Sequence, residues 1–398
     1  MSERTNWPAI VVLWCCGIGA AMQFAKVAAG FDALGRHYGL SLGGTGWLLS
    51  VVGTVGLLFG ATAGLAVSRA NLRTVLCGAL AVGAVLSAAE AMLPPLPLFV
   101  GLRLAEGVSH LVVVIVAPIL MNGCSTARHR AVVMGLWGTF FGVAFSLTNL
   151  VAPALLRHGV TGLLAAHAAW MAGLALLVAV LLRAGAVATM PAAAPLTWRR
   201  FLAQHAQIYA NRATALPGLL FLFHTLMFIA LLTFVPRLLP ESQRAALLFV
   251  LPLCGVAGTF AAGLLAQYLV TPVRLTGLGF AAVGLAAFGV QASAGSAAAA
   301  ACAILLLFVS GIVQGAVFTT VPYLNQDPGQ QACAHGAVAQ LGNLGATVGP
   351  PAIGASFAAH GPLGLAVPVA LLAACGLVLA LASSRRPAPL PLRAVPGE

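Results

Sequence analysis

The amino-acid sequence predicts an all-α polytopic membrane protein, with twelve transmembrane helices in two six-helix pseudo-repeat bundles and both termini cytoplasmic. Three observations lead there: the shortage of charge, the length of the apolar runs and the placement of the arginines. Of 398 residues, 61% are hydrophobic and only 7% are charged, whereas a soluble domain carries about 25% charged residues to cover its surface. Lipid needs no such cover. It offers backbone N–H and C=O groups no partner either, so only helices and closed barrels span it. The apolar runs reach roughly 20–25 residues without alternation, which suits helices rising about 1.5 Å per residue across a core of roughly 30 Å. Barrel strands would read as alternating segments of about 10 residues, and the sequence has none.

Twelve spans follow, at about 8–33, 43–67, 73–93, 96–121, 131–156 and 160–183 in the first half, and about 215–239, 244–269, 272–293, 297–324, 333–358 and 361–384 in the second. Short turn-forming segments separate them, such as Pro94-Pro95-Leu96-Pro97 and Pro240-Glu241-Ser242. This divides the chain into a bundle over 1–183, a central cytoplasmic loop over 184–214, a bundle over 215–384 and a cytoplasmic tail over 385–398. The later part of the loop, from Trp198-Arg199-Arg200 onward, reads as a short amphipathic helix on the membrane surface. The first apolar segment is too long for a signal peptide and is read as a retained helix.

The formal charge of +12 would suggest nucleic acid in a soluble protein, but here the positions matter more than the sum. With the N-terminus inside, thirteen arginines fall in cytoplasmic segments and four, Arg36, Arg157, Arg237 and Arg244, in outer ones. That is the positive-inside bias, and it puts both termini in the cytoplasm; the chain is expected in a bacterial inner membrane, with no nucleic-acid partner. The eight cysteines form no C-x-x-C pair or metal-ligand spacing, so they read as small buried hydrophobes, with no metal and no cofactor expected.

The halves echo one another. Gly135, Gly138 and Gly142 in the fifth span repeat as Gly342, Gly345 and Gly349 in the eleventh, 207 residues on. Gly64 and Gly263, which close the second and eighth spans, lie 199 apart. Two matches near half the chain length point to a duplicated six-helix unit.

Three segments carry a family resemblance. The loop after the second span reads Gly64-Leu-Ala-Val-Ser-Arg69-Ala-Asn-Leu-Arg73. It is similar to the G-x-L-A-D-R-x-G-R-R signature of the major facilitator superfamily, keeping Gly64, Arg69 and Arg73 but carrying Ser68 for Asp and Asn71 for Gly. Arg103-Leu-Ala-Glu106-Gly107 resembles that family's R-x-x-Q-G element with Glu for Gln, and Gly342 to Pro351 resembles its glycine-rich eleventh span. The resemblance implies alternating access. Two bundles rock about a midplane site, driven by an ion gradient or by the substrate's own, with Gly64, Arg69 and Arg73 in the gating loop.

Charges in hydrocarbon cost roughly 2.5–3.5 kcal/mol each on insertion scales, so those present mark candidate sites. Arg103, Glu106, Gly107 and His110 lie at i, i+3, i+4 and i+7, on one face of the fourth span. Glu106 is placed to pair with Arg103 on one side and His110 on the other. Lys26 lies at matching depth in the first span. Two cations against one carboxylate leave a positive surplus, expected to attract an anionic or zwitterionic substrate, with Glu106 carrying a coupling proton. A permanent ion network joining two helices is the alternative. Asp32 reads as an interfacial partner of Arg36, and Glu90 as solvated beside the Pro-rich outer turn. His224 is either bonded to a neighbouring helix or a substrate ligand. Asn149, Gln314, Asn325, Gln340 and Asn343 are possible cavity-lining residues in helices that face the cavity in this superfamily, or else interhelical bonds of about 0.6 kcal/mol. Trp137 and Phe140 read as aromatic packing.

The expected function is therefore secondary active transport of a small organic solute, anionic or zwitterionic and proton-coupled, by a monomeric chain in the bilayer. Proton-driven efflux of drugs or metabolites is the alternative. A membrane-embedded enzyme or a sensor is the reading from another class. The chain is not expected to be an enzyme, since no His-Glu-x-x-His pattern occurs, and it has no P-loop for ATP.

Overall fold

The computed structural model describes residues 5–67, 71–126, 129, 133, 136–181, 198–325 and 328–384. Among them all regular structure is helical. In chain order the helices are α1 (Trp7–Ala29), α2 (Phe31–Tyr38), α3 (Leu42–Ser50), α4 (Gly53–Val67), α5 (Leu72–Ala91), α6 (Leu96–Gly123), α7 (Phe140–Leu155) and α8 (Gly159–Leu181). The second half has α9 (Trp198–Ala210), α10 (Arg212–Phe234), α11 (Glu241–Tyr268), α12 (Pro272–Ala292), α13 (Ala299–Leu324), α14 (Pro328–His360) and α15 (Pro362–Ser384).

Local chemistry sets the ends. Asn6 caps α1, accepting from Ala9 N, with Pro8 in the first turn. Gly39 ends α2 at φ 65°, a conformation that costs glycine little. Asn71, which stands where the family signature has Gly, caps α5 by accepting from Arg73 N and Thr74 N. The central amphipathic helix is α9, and α10 begins at Arg212, ahead of the predicted boundary.

Among the described residues, nine stretches are long and apolar enough to cross a membrane, or ten if α3 and α4, bent by 50° at their junction, form one. The twelve predicted spans differ from this count for identifiable reasons. The second predicted span breaks between α3 and α4. The fifth and sixth, α7 and α8, are joined by a single 3-10 turn, Leu156–His158, inside one 42-residue stretch. The eleventh, α14, carries more polar side chains and two internal prolines, Pro350 and Pro351, and is not among the nine.

The two halves meet along two crossings. Helix α14 lies on α3 and α4, where a Cβ added at Gly46 would come within 2.8 Å of Pro350 O and one at Gly53 would press on Thr347. Helix α7 lies on α11, joined by Ser146 Oγ donating to Phe249 O at 2.9 Å and Asn149 Nδ2 donating to Leu248 O at 2.9 Å. Fifth and eleventh spans thus each reach into the opposite half. Of the small-residue pairs, Gly345 and Gly349 both press on α10 at Thr225 and Leu226, while only Gly142 of the first-half pair is at a close crossing. At the Tyr38 end, Asp32 pairs with Arg237 of the other half at 2.5 Å, and Arg237 also sits over the Phe31 ring. Asp32 therefore reaches across the halves, not back to Arg36.

Candidate functional site

The candidate site lies inside the first half, where α1, α5, α6 and α8 pack together. Lys26 Nζ is 2.7 Å from each of Ser87 Oγ, Glu90 Oε2 and Glu106 Oε1. An ammonium has three N–H donors, and these three acceptors take them all. Arg103 pairs through Nη1 with Glu106 Oε2. Its other nitrogens donate to the backbone where α3 ends, Nε to Leu48 O at 3.4 Å and Nη2 to Leu49 O at 3.2 Å. Every member is buried: Lys26 is 1% exposed, and Glu90, Arg103 and Glu106 are 0%.

His167 completes the cluster from α8. Its Nε2 is 2.9 Å from Gly19 O, a carbonyl that can only accept, so Nε2 carries the proton. Nδ1 is then an acceptor, 2.7 Å from Ser87 Oγ. Ser87 Oγ accepts from Lys26 and has two acceptors for its own proton, His167 Nδ1 at 2.7 Å and Glu106 Oε1 at 3.0 Å, while Lys26 Nζ also lies 3.3 Å from His167 Nδ1.

Three findings revise the sequence expectations. Glu90 is not solvated. It lies in the last turn of α5 beneath the Pro-rich turn, and α2 covers that turn, with Tyr38 OH donating to Pro94 O at 2.8 Å. Burial, and after it the Glu90 carboxylate, push the Tyr38 phenol up to about 12, so it stays a neutral donor. Second, Lys26 and Arg103 face Glu90 and Glu106, two charges of each sign, and the expected positive surplus is absent. Third, the histidine beside Glu106 is His167, at 3.8 Å. His110 turns away, its Nδ1 3.0 Å from Ala20 O and its ring edge-on to Phe24.

Sequence reading missed Ser87, Glu90 and His167 as site residues. Ser87 and Glu90 lie at i and i+3, the same spacing that flagged Arg103 and Glu106, and His167 is a lone ionisable residue in an apolar span. Those signals were present. What hid Glu90 was its distance of a few residues from a turn, which reads as water until α2 is placed over it.

The remaining candidates scatter. Asn149 is spent on the α7–α11 crossing described above. Gln340 Nε2 donates to Leu57 O of α4 at 3.1 Å, and its Oε1 accepts from Tyr209 OH of α9 at 2.8 Å, tying both halves to the central helix. Asn343 donates to its own helix at Ala339 O, 2.8 Å away, and abuts Gly56. Asn325 Nδ2 donates to Ala213 O at 2.8 Å. His224 is 1% exposed between Phe221 and Phe228, with ring centroids 5.6 and 5.0 Å away. Among the described residues its ring nitrogens make no hydrogen bond of good geometry; Gln314 of α13 is the polar side chain that interacts with the ring. Trp137 and Phe140 stack at 4.5 Å. In the gating loop, Arg69 lies outside the described residues, Gly64 is in α4, and Arg73 donates to Ala179 O at the end of α8. No group of three or more metal-ligating side chains occurs among the described residues.

Apolar spanning helices, two inter-half crossings and a charge cluster sealed from lipid define a multi-pass membrane transporter. Residues 13–350 match the Major Facilitator Superfamily, and the chain belongs to that family. No curated protein sequence matches it. Among solved structures it is similar in fold to the human organic anion transporter MFSD10 (TETRAN), with TM-score 0.69 and 16% identity over 94% of this chain and 98% of that one. It is also similar to a bacterial homolog of the human lysosomal transporter Spinster in its inward-facing, occupied conformation, with TM-score 0.71 and 13% identity over 96% of each chain. The unoccupied form of the same homolog gives TM-score 0.67.

Proposed function

We propose that this chain is a secondary active transporter that moves a small organic anion or zwitterion by alternating access, coupled to protons. It works as a monomer in a bacterial inner membrane, with twelve spans and both termini cytoplasmic. The bundles over 1–183 and 215–384 rock about the loop at 184–214, and the tail follows at 385–398. The Tyr38 end, held by Asp32 and Arg237, is the outer gate.

One observation carries the reading: a buried quartet, Lys26, Glu90, Arg103 and Glu106, whose formal charges cancel. Adding one proton to either carboxylate leaves two cations against one anion. The positive surplus expected from sequence then exists only in the protonated state, so an anion is attracted when a proton is aboard and released when it leaves. Electrostatics within a low-dielectric bundle make that difference large compared with the same change in water. His110 and His167 hold the α1 backbone in register with the quartet. His224, Gln314, Asn149, Asn325, Gln340 and Asn343 supply polar contacts around the passage. The fold shared with an organic anion transporter supports the anionic class. A second reading, efflux of an aromatic or amphiphilic solute, draws support from the buried His224 ring between two phenylalanines.

Proteoliposomes enclosing a pH-sensitive dye test the coupling. Offered a panel of small carboxylates, sulfonates and amino acids, they should acidify inside whenever a labelled anion enters. Protein-dependent entry of an anion at unchanged internal pH would remove the proton from the mechanism.

A further inference from the structure

We infer that the coupling proton binds Glu90, at Oε1, and that Glu106 is a permanently ionised anchor. The inference rests on the proton-coupled reading above and assigns it to one atom.

The two carboxylates are unequally held. Glu106 has a cation on each oxygen: Lys26 Nζ on Oε1 at 2.7 Å, and Arg103 on Oε2. A proton arriving there would have to displace a charge-assisted hydrogen bond whichever oxygen it chose. Glu90 has a partner on one oxygen only, Lys26 on Oε2 at 2.7 Å. Its Oε1 is buried, 3.9 Å from Arg103 Nη1 and beyond hydrogen-bond reach, and has no hydrogen-bond partner among the described residues. Leaving a carboxylate oxygen bare in a buried site is costly, and a proton removes the charge that makes it so.

The surroundings agree from every helix packed on Glu90. From α1 comes Lys26, already committed to three acceptors. From α6 come Arg103, committed to Glu106 and to two backbone carbonyls, and the Glu106 carboxylate itself, whose like charge disfavours a second anion close by. From its own helix comes Ser87, whose one hydroxyl proton is shared between His167 Nδ1 of α8 at 2.7 Å and Glu106 Oε1 at 3.0 Å and so is not offered to Glu90. From α2 comes Tyr38, donating to Pro94 O. Glu90 Oε1 is the one acceptor of the quartet without a donor. Proton uptake forms an O–H bond there from water, and the charge of the quartet goes from zero to plus one. Lys26, released from balancing Glu90, then serves Glu106 alone. Loss of the proton to water reverses both changes.

The chain has five glutamates, Glu3, Glu90, Glu106, Glu241 and Glu398, so glutamate labelled with carbon-13 at the side-chain carboxyl gives at most five resonances. Solid-state NMR of the full chain in liposomes, recorded across a pH series, reads each directly. Glu90→Gln and Glu106→Gln assign the two buried signals. Should Glu90→Gln not fold, Glu90→Asp removes the same resonance and keeps the carboxylate. The expected result is that the Glu90 resonance moves with pH while that of Glu106 stays at its ionised position. Movement of Glu106 alone, or of both together, overturns the assignment to Glu90 and leaves proton coupling standing. If neither moves, the coupling itself falls.

Discussion

The two halves of this molecule solve the problem of a buried interior in opposite ways. In the first half the core is divided by charge: Lys26, Glu90, Arg103 and Glu106 are all at most 1% exposed, with His110 and His167 beside them. In the second half the buried polar side chains among the described residues are hydroxyls, Asn325 and His224, and none carries a permanent charge. Its packing relies on glycine instead, with Gly345 and Gly349 letting α14 approach α10 so closely that a Cβ would strike backbone. The two halves thus differ in what holds them. A core of charges changes its state when one proton arrives, whereas a core of apolar contacts does not. The first half is suited to sensing and the second to forming a wall.

The largest effect should come from breaking the charge balance. Lys26→Met leaves two carboxylates against Arg103 alone, and an uncompensated buried charge costs about 3–5 kcal/mol. A denaturation series in mixed micelles should show a loss of that order. Adding Glu90→Gln to Lys26→Met restores neutrality, leaving the Arg103–Glu106 pair, and should recover most of the loss. If Lys26→Met is as stable as the parent, the quartet is not an interdependent unit and the contrast between halves fails.

A smaller effect of opposite sign is expected in the second half. His224 sits between Phe221 and Phe228 with no hydrogen bond of good geometry, Gln314 being the polar side chain that faces it. A buried polar group without a partner carries a desolvation penalty of roughly 1–3 kcal/mol, which an apolar group of similar shape avoids. His224→Phe should therefore leave stability unchanged or raise it by on the order of 1 kcal/mol, and the same denaturation series reads it. A clear loss would mean that the imidazole has a structural partner, and that the second half is held by polar contacts as the first is.

How far the sequence foretold these halves depends on what each requires. Apolar runs report lipid burial directly, so most helices fall near their predicted places, including α9 in the central loop. The bend between α3 and α4 was not legible, because Val51 and Val52 resemble any other span residues; it follows from packing on α6 and α14. Lys26, Arg103 and Glu106 were legible because a charge in an apolar run needs a reason. Glu90 was not, since a residue near a turn is wet or dry according to what folds over it, and Tyr38 lies 52 positions away in the sequence. Missing one carboxylate turned a neutral cluster into a positive one. Asp32 erred likewise: Arg36 is its neighbour in sequence, but Arg237 is its neighbour in space.

The smallest expected change in stability lies at the seam between the halves, and it bears most on their motion. Asp32 and Arg237 are 62% and 27% exposed, so water and salt screen the pair, and such contacts contribute about 0.2–1 kcal/mol. Arg237 also lies 5.1 Å from the Phe31 ring centroid and 6.0 Å from that of Phe234, which adds a similar small term. Asp32→Asn should scarcely alter unfolding. A transporter's states differ by only a few kcal/mol, however, so about 1 kcal/mol removed from one of them changes the population ratio roughly fivefold. Spin labels at the exposed positions Arg36 and Ser242 straddle this seam. Their distance distribution should gain a longer component in Asp32→Asn, and the parent should gain the same component as salt is raised. An unchanged distribution would show that the α14 and α7 crossings alone keep this end shut, and that the uncharged contacts govern the seam as they govern the second half.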